Sequence, residues 1–287
     1  MTAAYLSKLH ATGNDFLVWS WLGPDGSSCS SGSIGSEQAR ALCDRHRGIG
    51  ADGLIVVKPG SNGADVEMVL FNADGGIAEM SGNGIRALAW VAVRDGYGRD
   101  GRLVVDTGGG RRELDLELDP ATGELVYATV DMGPVTFDPA QIPVALESSA
   151  HITAEFHGVE YEGDAAGMGN PHLVLFVEDP ATARVTQHGP RLEHDERFPA
   201  RTNVHFVRPT PGVVDELDMR VWERGVGETL SCGTGASASA AVAHRRGLVG
   251  QKVTVHVPGG DLTVELGDTI RLGGPVVHVF DTTIDLR

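Results

Sequence analysis

Basic charge is scarce in this chain of 287 residues: Lys and Arg number 23 against 39 Asp and Glu, for a formal net charge of −16. That balance argues against nucleic acid and anionic membranes as partners, because both attract basic surfaces. The acidic residues are spread along the chain rather than gathered in a tail, which reads as a solvated surface. Cysteine is scarce too. Cys29, Cys43 and Cys232 are the full set, a complement that suits a reducing compartment better than a disulfide framework. No apolar run approaches the ~20 residues that span a bilayer. The opening MTAAYLSKLH lacks the basic segment followed by an apolar one that marks a secretory leader. These absences lead to the expectation of a soluble cytoplasmic protein. What is present is a hydrophobic share of 41%, ordinary for a globular chain, and a length that fits one large domain or two ordinary ones.

Strand-like segments dominate. DFLVWSWL, DGLIVVKPG and ADVEMVLFNADG read as strands closed by turn residues. RLVVDTGGGRRELDLEL reads as a hairpin, since the alternation in RELDLEL gives one wet and one dry face. ELVYATVDMGPVTF, GNPHLVLFVED, NVHFVRP, ELDMRVWERG, KVTVHVPGGDLTVEL and PVVHVFDTTIDL continue the strands. SEQARALCDRH reads as a short helix with Ser36 as its candidate N-cap. The Gly- and Ser-rich GSSCSSGSIGS, which holds Cys29, reads as a mobile loop.

The chain also repeats itself. Ser81-Gly82-Asn83-Gly84 matches Cys232-Gly233-Thr234-Gly235 at an offset of 151 residues. Each turn leads into an alanine-rich helical stretch, and each stretch ends on a glycine, Gly96 or Gly247. GNDFLVW is echoed by GNPHLVLF at an offset of 156 residues. Three matches in the same order imply an α/β (α+β) fold of two pseudo-symmetric domains, each a β-rich shell around one central helix. The expected boundaries are 1–131 and 132–275, with 276–287 a last strand returning to the first domain.

A helix N-terminus presents N–H groups and the positive end of the macrodipole, and glycines let a ligand approach the backbone. Such a turn holds a carboxylate. A cysteine placed there is expected to have a lowered pKa and to serve as a base or nucleophile, although a serine there also reads as an N-cap and a cysteine as a packed small hydrophobe. Around the two turns stand Asn14, Asn72, Asn170, His172, Asn203, Glu223 and Arg224. Each has a structural reading as well, as a turn former or a satisfied polar group or, for Glu223 and Arg224, as a surface ion pair. Together they suit a zwitterionic amino acid.

The stretches KLHATGNDF, CDRHRGIGADGL, FNADGGIAEMSGNGIR, GNPH, TNV and ERGVGETLSCGTGA, in that order over residues 8 to 236, resemble the diaminopimelate epimerase family. The resemblance implies an active site in the cleft of two similar domains, epimerisation by two thiols, a homodimer, and no metal or pyridoxal phosphate. The last point fits a chain whose lysines are Lys8, Lys58 and Lys252, none in a phosphate-loop context. By the same resemblance Cys232 is one catalytic thiol and Ser81 stands where the other belongs. Gly82, Asn83, Gly233 and Thr234 would hold the carboxylate at the reacting carbon. Asn14, Asn72, Asn170, Asn203 and Arg224 would fix the rest of the substrate, and Glu223 its amino groups. His172 and Glu223 would tune proton transfer at the thiols.

Ser81 departs from that pattern, and an alcohol is a far weaker acid than a thiol. Three readings follow: an introduced Cys→Ser change, a natural variant that still epimerises through a water at Ser81, or a paralogue doing one-sided chemistry, such as a dehydratase related to the proline racemases. A binding protein that kept the pocket and lost the chemistry is a further class.

Overall fold

The computed structural model describes residues 2–21 and 34–286. They form two compact units, Met1–Asp131 with Gly273–Arg287, and Met132–Leu272. Most of GSSCSSGSIGS, Cys29 included, lies outside the described residues.

The first unit runs β1 (Thr2–Ala11), β2 (Asn14–Ser20), α1 (Ser36–Cys43), β3 (Gly53–Pro59), β4 (Val66–Asn72), β5 (Ile77–Ala78), α2 (Gly82–Arg94), β6 (Arg102–Thr107), β7 (Gly110–Leu118) and β8 (Leu125–Asp131). The second runs β9 (Ile152–Phe156), β10 (Val159–Gly167), β11 (Pro171–Phe176), α3 (Val185–Glu193), β12 (Asn203–Pro209), β13 (Glu216–Glu223), β14 (Gly227–Thr229), α4 (Gly233–Arg245), β15 (Lys252–Val257) and β16 (Gly260–Leu266). Strand β17 (Ile270–Pro275) leads out of it, and β18 (Val277–Leu286) pairs antiparallel with β1.

Both units use one pairing scheme. In the first, β1–β2 is antiparallel, β2–β3 parallel, β3–β4 antiparallel, β4–β6 parallel and β6–β7 antiparallel. In the second, β10–β11, β11–β12, β12–β13, β13–β15 and β15–β16 repeat that sequence of directions. The repeated turns thus belong to a repeated fold.

The central helices explain the alanine content. Every residue of α2 from Gly82 to Val93 is buried, and α4 is buried from Ala236 to Ala243. A helix enclosed all round needs small or apolar side chains on every face. Both stop in the same way. Gly96 and Gly247 have φ of 100° and 72°, and the Tyr97 and Leu248 amides donate back to Ala92 and Ala243 carbonyls at 2.9 Å. This left-handed closure is the one glycine makes without strain. At the other end, Ser81 and Cys232 share extended backbone, φ −139° and −131°.

The shorter helices depend on contacts beyond their own sequence. The N-cap of α1 is Gly35 and not Ser36, which is already helical; Gln38 Oε1 accepts the Gly35 amide at 3.2 Å and closes that end. Helix α3 contains Gly189 and Pro190. A Cβ at Gly189 would lie 2.6 Å from Trp222 Cγ, so this glycine lets the helix pack directly on β13. No helix among the described residues is long and apolar enough to cross a membrane.

The last glycines of the two turns do different work. A Cβ at Gly235 would lie 2.1 Å from His205 Cε1, whereas one at Gly84 would meet Ile55 Cδ1 and Ser81 Cβ at 3.2 Å. Gly235→Ala should therefore destabilise the protein by ~3 kcal/mol, the upper range for overpacking, and Gly84→Ala by no more than ~1 kcal/mol, helped by alanine's helix propensity. Urea unfolding midpoints of the two variants check this ordering.

Candidate active site

In each unit the candidate residues gather at one end of the sheet, around the start of the central helix. In the first, β2 begins at Asn14, β3 begins at Gly53, β4 ends at Asn72 and α2 begins at Gly82. The register pairs Gly53 with both Phe16 and Asn72. In the second, β11 begins beside Asn170, β12 begins at Asn203, β13 ends at Glu223 and α4 begins at Gly233.

The polar groups of the first half-site form a chain. Asn14 Nδ2 donates to Asp52 Oδ2 at 2.6 Å, and Asn14 Oδ1 accepts from Asn83 Nδ2 at 3.3 Å. Asn83 Oδ1 in turn accepts from Arg86 Nη2 at 2.9 Å. A carboxylate only accepts and a guanidinium only donates, so the two ends fix how both amides point. Arg86 is fully buried, reaches Thr12 Oγ1 at 3.3 Å, and keeps Nε and Nη1 without hydrogen-bond partners. Burial lowers its pKa to about 10, which leaves it a cation at neutral pH just behind the turn. Ser81 Oγ accepts the Gly84 amide at 3.0 Å, an N-cap bond. Asn72, the exposed last residue of β4, donates its main-chain N–H to Gly76 O at 2.8 Å.

Behind this half-site lies an ionic cluster that the sequence motifs did not single out. Asp15 bonds Lys8 and Arg45, and Arg45 reaches Asp52 at 2.8 Å. Burial works to raise the Asp15 pKa, but hydrogen bonds from Arg45 and Lys8 overcome it and hold the group at about 2. Cys43 lies buried nearby, its thiol pushed up to about 11, mainly by burial. It packs in the core of Leu6, Trp19 and Leu54.

In the second half-site Cys232 is 6% exposed. The expectation of a lowered thiol pKa is not met. Burial pushes it up, the Glu223 carboxylate beside the sulfur pushes further, and the Thr234 hydroxyl and Gly235 amide do not win it back. The helix N-terminus favours a thiolate, but a desolvated sulfur next to an anion stays protonated. Glu223 also accepts a hydrogen bond from the Thr229 hydroxyl. Asn203 donates through Nδ2 to Pro171 O at 3.0 Å and accepts the Arg224 amide at 2.9 Å. The Arg224 guanidinium donates to the Ala200 carbonyl at 3.0 Å from an exposed position.

His172 is fully buried, and both its ring nitrogens are engaged, Nε2 with Asn170 Oδ1 at 2.8 Å and Nδ1 with His205 Nε2 at 2.9 Å. Burial, then His205 and Arg224, hold the His172 pKa well below the ordinary histidine value. Burial alone lowers His205 to about 3. His205 and Arg86 are the residues that motif reading missed. Each did leave a trace, His205 two positions beyond Asn203 on one strand face and Arg86 one turn beyond Asn83. Among the described residues no group of three His, Cys, Asp or Glu side chains is placed to hold a metal ion.

Comparison with known proteins bears on both half-sites. The sequence profile of the diaminopimelate epimerase family matches residues 6–137 and 165–278. The chain is 42% identical over 281 residues to the diaminopimelate epimerase of Desulfitobacterium hafniense, covering 95% of each chain. To that of Moorella thermoacetica it is 41% identical over 278 residues, covering 95% of this chain and 96% of the other. Among solved structures it is similar to a hydroxyproline epimerase from Agrobacterium vitis, with a TM-score of 0.68, 17% identity, and coverage of 98% of this chain and 92% of that one. That likeness is one of fold.

The histidine pair gives a pH prediction. The unfolded chain takes up a proton on each ring near pH 6.5, while folded His205 does so only near pH 3. Its contribution to stability is therefore intact above about pH 6.5 and falls as the pH drops, by roughly 1.4 kcal/mol per unit. His172 adds to the same trend. Between about pH 7.5 and pH 5.5, the loss of urea stability should be smaller by ~1 kcal/mol in His205→Phe than in the unaltered chain.

Proposed function

The chain belongs to the diaminopimelate epimerase family, and on that premise we propose that it interconverts L,L- and meso-diaminopimelate by moving the proton at Cα, without a cofactor. The observation that carries this reading is the thiol–carboxylate pair of Cys232 and Glu223 at the N-terminus of a buried helix. The α-proton is a very weak acid. Its removal needs a base and a site that stabilises the developing negative charge. Main-chain N–H groups of the two repeated turns, those of Gly82, Asn83, Gly233 and Thr234, supply that stabilisation by holding the carboxylate at the reacting carbon. Asn14, Asn72, Asn170, Asn203 and Arg224 recognise the rest of the substrate, and Glu223 its amino groups.

Glu223 is also the group beside Cys232 that can accept the thiol proton. The thiolate then takes the α-proton, and the negative charge moves onto the substrate carboxylate facing the N–H groups. Inversion requires a second group to deliver a proton to the opposite face of Cα. Position 81 is where the family pattern puts it, and there Ser81, directly or through a water, is a poor donor. The same hydroxyl caps α2, so the serine exchanges chemistry for a cap bond. A cytoplasmic homodimer completes the proposal, on the family resemblance.

The test is an interconversion assay of the chain beside its Ser81→Cys and Cys232→Ser variants. Ser81→Cys should raise kcat by roughly 10²-fold or more while lowering stability by ~1 kcal/mol through loss of the cap. Cys232→Ser should abolish turnover. A Ser81→Cys protein inactive on diaminopimelate, or an active Cys232→Ser protein, would overturn the assignment. Arg224→Lys should weaken diaminopimelate binding at least ~10-fold, because an ammonium cannot make the two parallel hydrogen bonds of a guanidinium to a carboxylate. Unchanged affinity would return Arg224 to a surface role.

A further inference from the structure

The second half-site ends in a hydrogen-bond chain whose direction can be worked out from its last atom. Asn170, His172 and His205 lie in a row, joined at 2.8 Å and 2.9 Å. His205 is fully buried on β12, with its ring against the backbone of Gly235, where no side chain beyond hydrogen would fit. Its Nδ1 is buried with no hydrogen-bond partner. Burial keeps both rings neutral, so each carries one N–H and one lone pair.

Two proton arrangements satisfy the chain. In one, His205 donates from Nε2 to His172 Nδ1, and His172 donates from Nε2 to Asn170 Oδ1. The atom left over is then a bare lone pair at His205 Nδ1. In the other, every bond reverses: the Asn170 amide donates to His172, His172 donates to His205, and His205 buries an unpaired N–H. Buried N–H groups without partners are rarer than buried acceptors without partners, and both arrangements contain the same number of internal bonds. The dead end at Nδ1 selects the first.

We propose that His205 is a positioning residue that fixes the tautomer of His172 and, through it, the orientation of the Asn170 amide. Asn170 then spends its oxygen on His172 and turns its NH₂ to the ligand. The half-site offers a donor at this point, which selects a carboxylate oxygen and disfavours an ammonium group. This consequence rests on the reading above that Asn170 contacts the substrate; the tautomer itself does not. Gly235 belongs to the same device, since the third residue of the α4 turn must be glycine for the His205 ring to lie there.

Imidazole nitrogen NMR of the ¹⁵N-labelled full chain, with calorimetric binding of meso-diaminopimelate, tests the proposal. The unaltered chain should show both His172 and His205 protonated at Nε2. His205→Phe keeps a ring of similar size and removes the donor. In it the His172 proton should redistribute over both nitrogens, and the Kd for meso-diaminopimelate should rise about tenfold, the factor expected for a misdirected hydrogen bond to a charged group. His205→Gln restores an N–H donor and should bring the Kd back to within about threefold of the original. A His172 protonated at Nδ1 in the unaltered chain, or a His205→Phe variant with the same tautomer and the same Kd, overturns it. Failure of the unaltered chain to bind meso-diaminopimelate would refute the substrate reading, while the tautomer would still decide the role of His205.

Discussion

A helix enclosed by strands on every side must begin somewhere, and its first N–H groups have no carbonyls of the helix to bond. Both units of this protein meet that constraint at one end of the sheet, at Gly82 and at Gly233. The ladder that encloses each helix sets which residues surround its start, because β2 and β3, or β11 and β12, begin there and β4 or β13 ends there. The turn with its free N–H groups and the side chains around it are thus a consequence of burying an alanine-rich helix. The backbone supplies the charge complementarity, and side chains are left to set direction and chemistry.

The two units set direction by different means. In the first, Asn14 and Asn83 are held between the carboxylate of Asp52 and the guanidinium of Arg86, groups that only accept or only donate. In the second, neutral imidazoles do this work, and a buried lone pair ends the chain. The leading side chains differ as well. Ser81 makes the cap bond that Cys232 does not make. The thiol, desolvated and placed beside Glu223, has its pKa raised. In the proposed reaction that carboxylate is the group that deprotonates it, since the helix N-terminus does not offset the effect of burial.

The duplicated architecture was legible in the sequence because its markers are local. Glycines start and stop the two central helices, alanines fill them, and alternation in RELDLEL marks β7. The candidate asparagines, His172, Glu223 and Arg224 stand out by motif. What could not be read depends on contacts distant in sequence. Helix α3 is hidden by Gly189 and Pro190, and the glycine makes sense only against Trp222 on β13. The N-cap at Gly35 depends on the position of Gln38. His205 looks like one residue of a strand until its ring is seen beneath Gly235. The raised pKa of Cys232 follows from burial, which no spacing reveals.

The central claim is that acid–base chemistry in this chain runs through Cys232, with Ser81 a weak partner. Deuterium uptake at Cα, followed separately for L,L- and meso-diaminopimelate in deuterated water, tests it most directly. Cys232 can take the proton from the isomer whose Cα–H faces it and, once the sulfur has exchanged with solvent, return a deuteron to the same face. The other isomer depends on Ser81 as base. The account predicts uptake into one isomer faster than net epimerisation, with the other nearly inert. Rapid epimerisation from both isomers at comparable rates by the unaltered chain would contradict it.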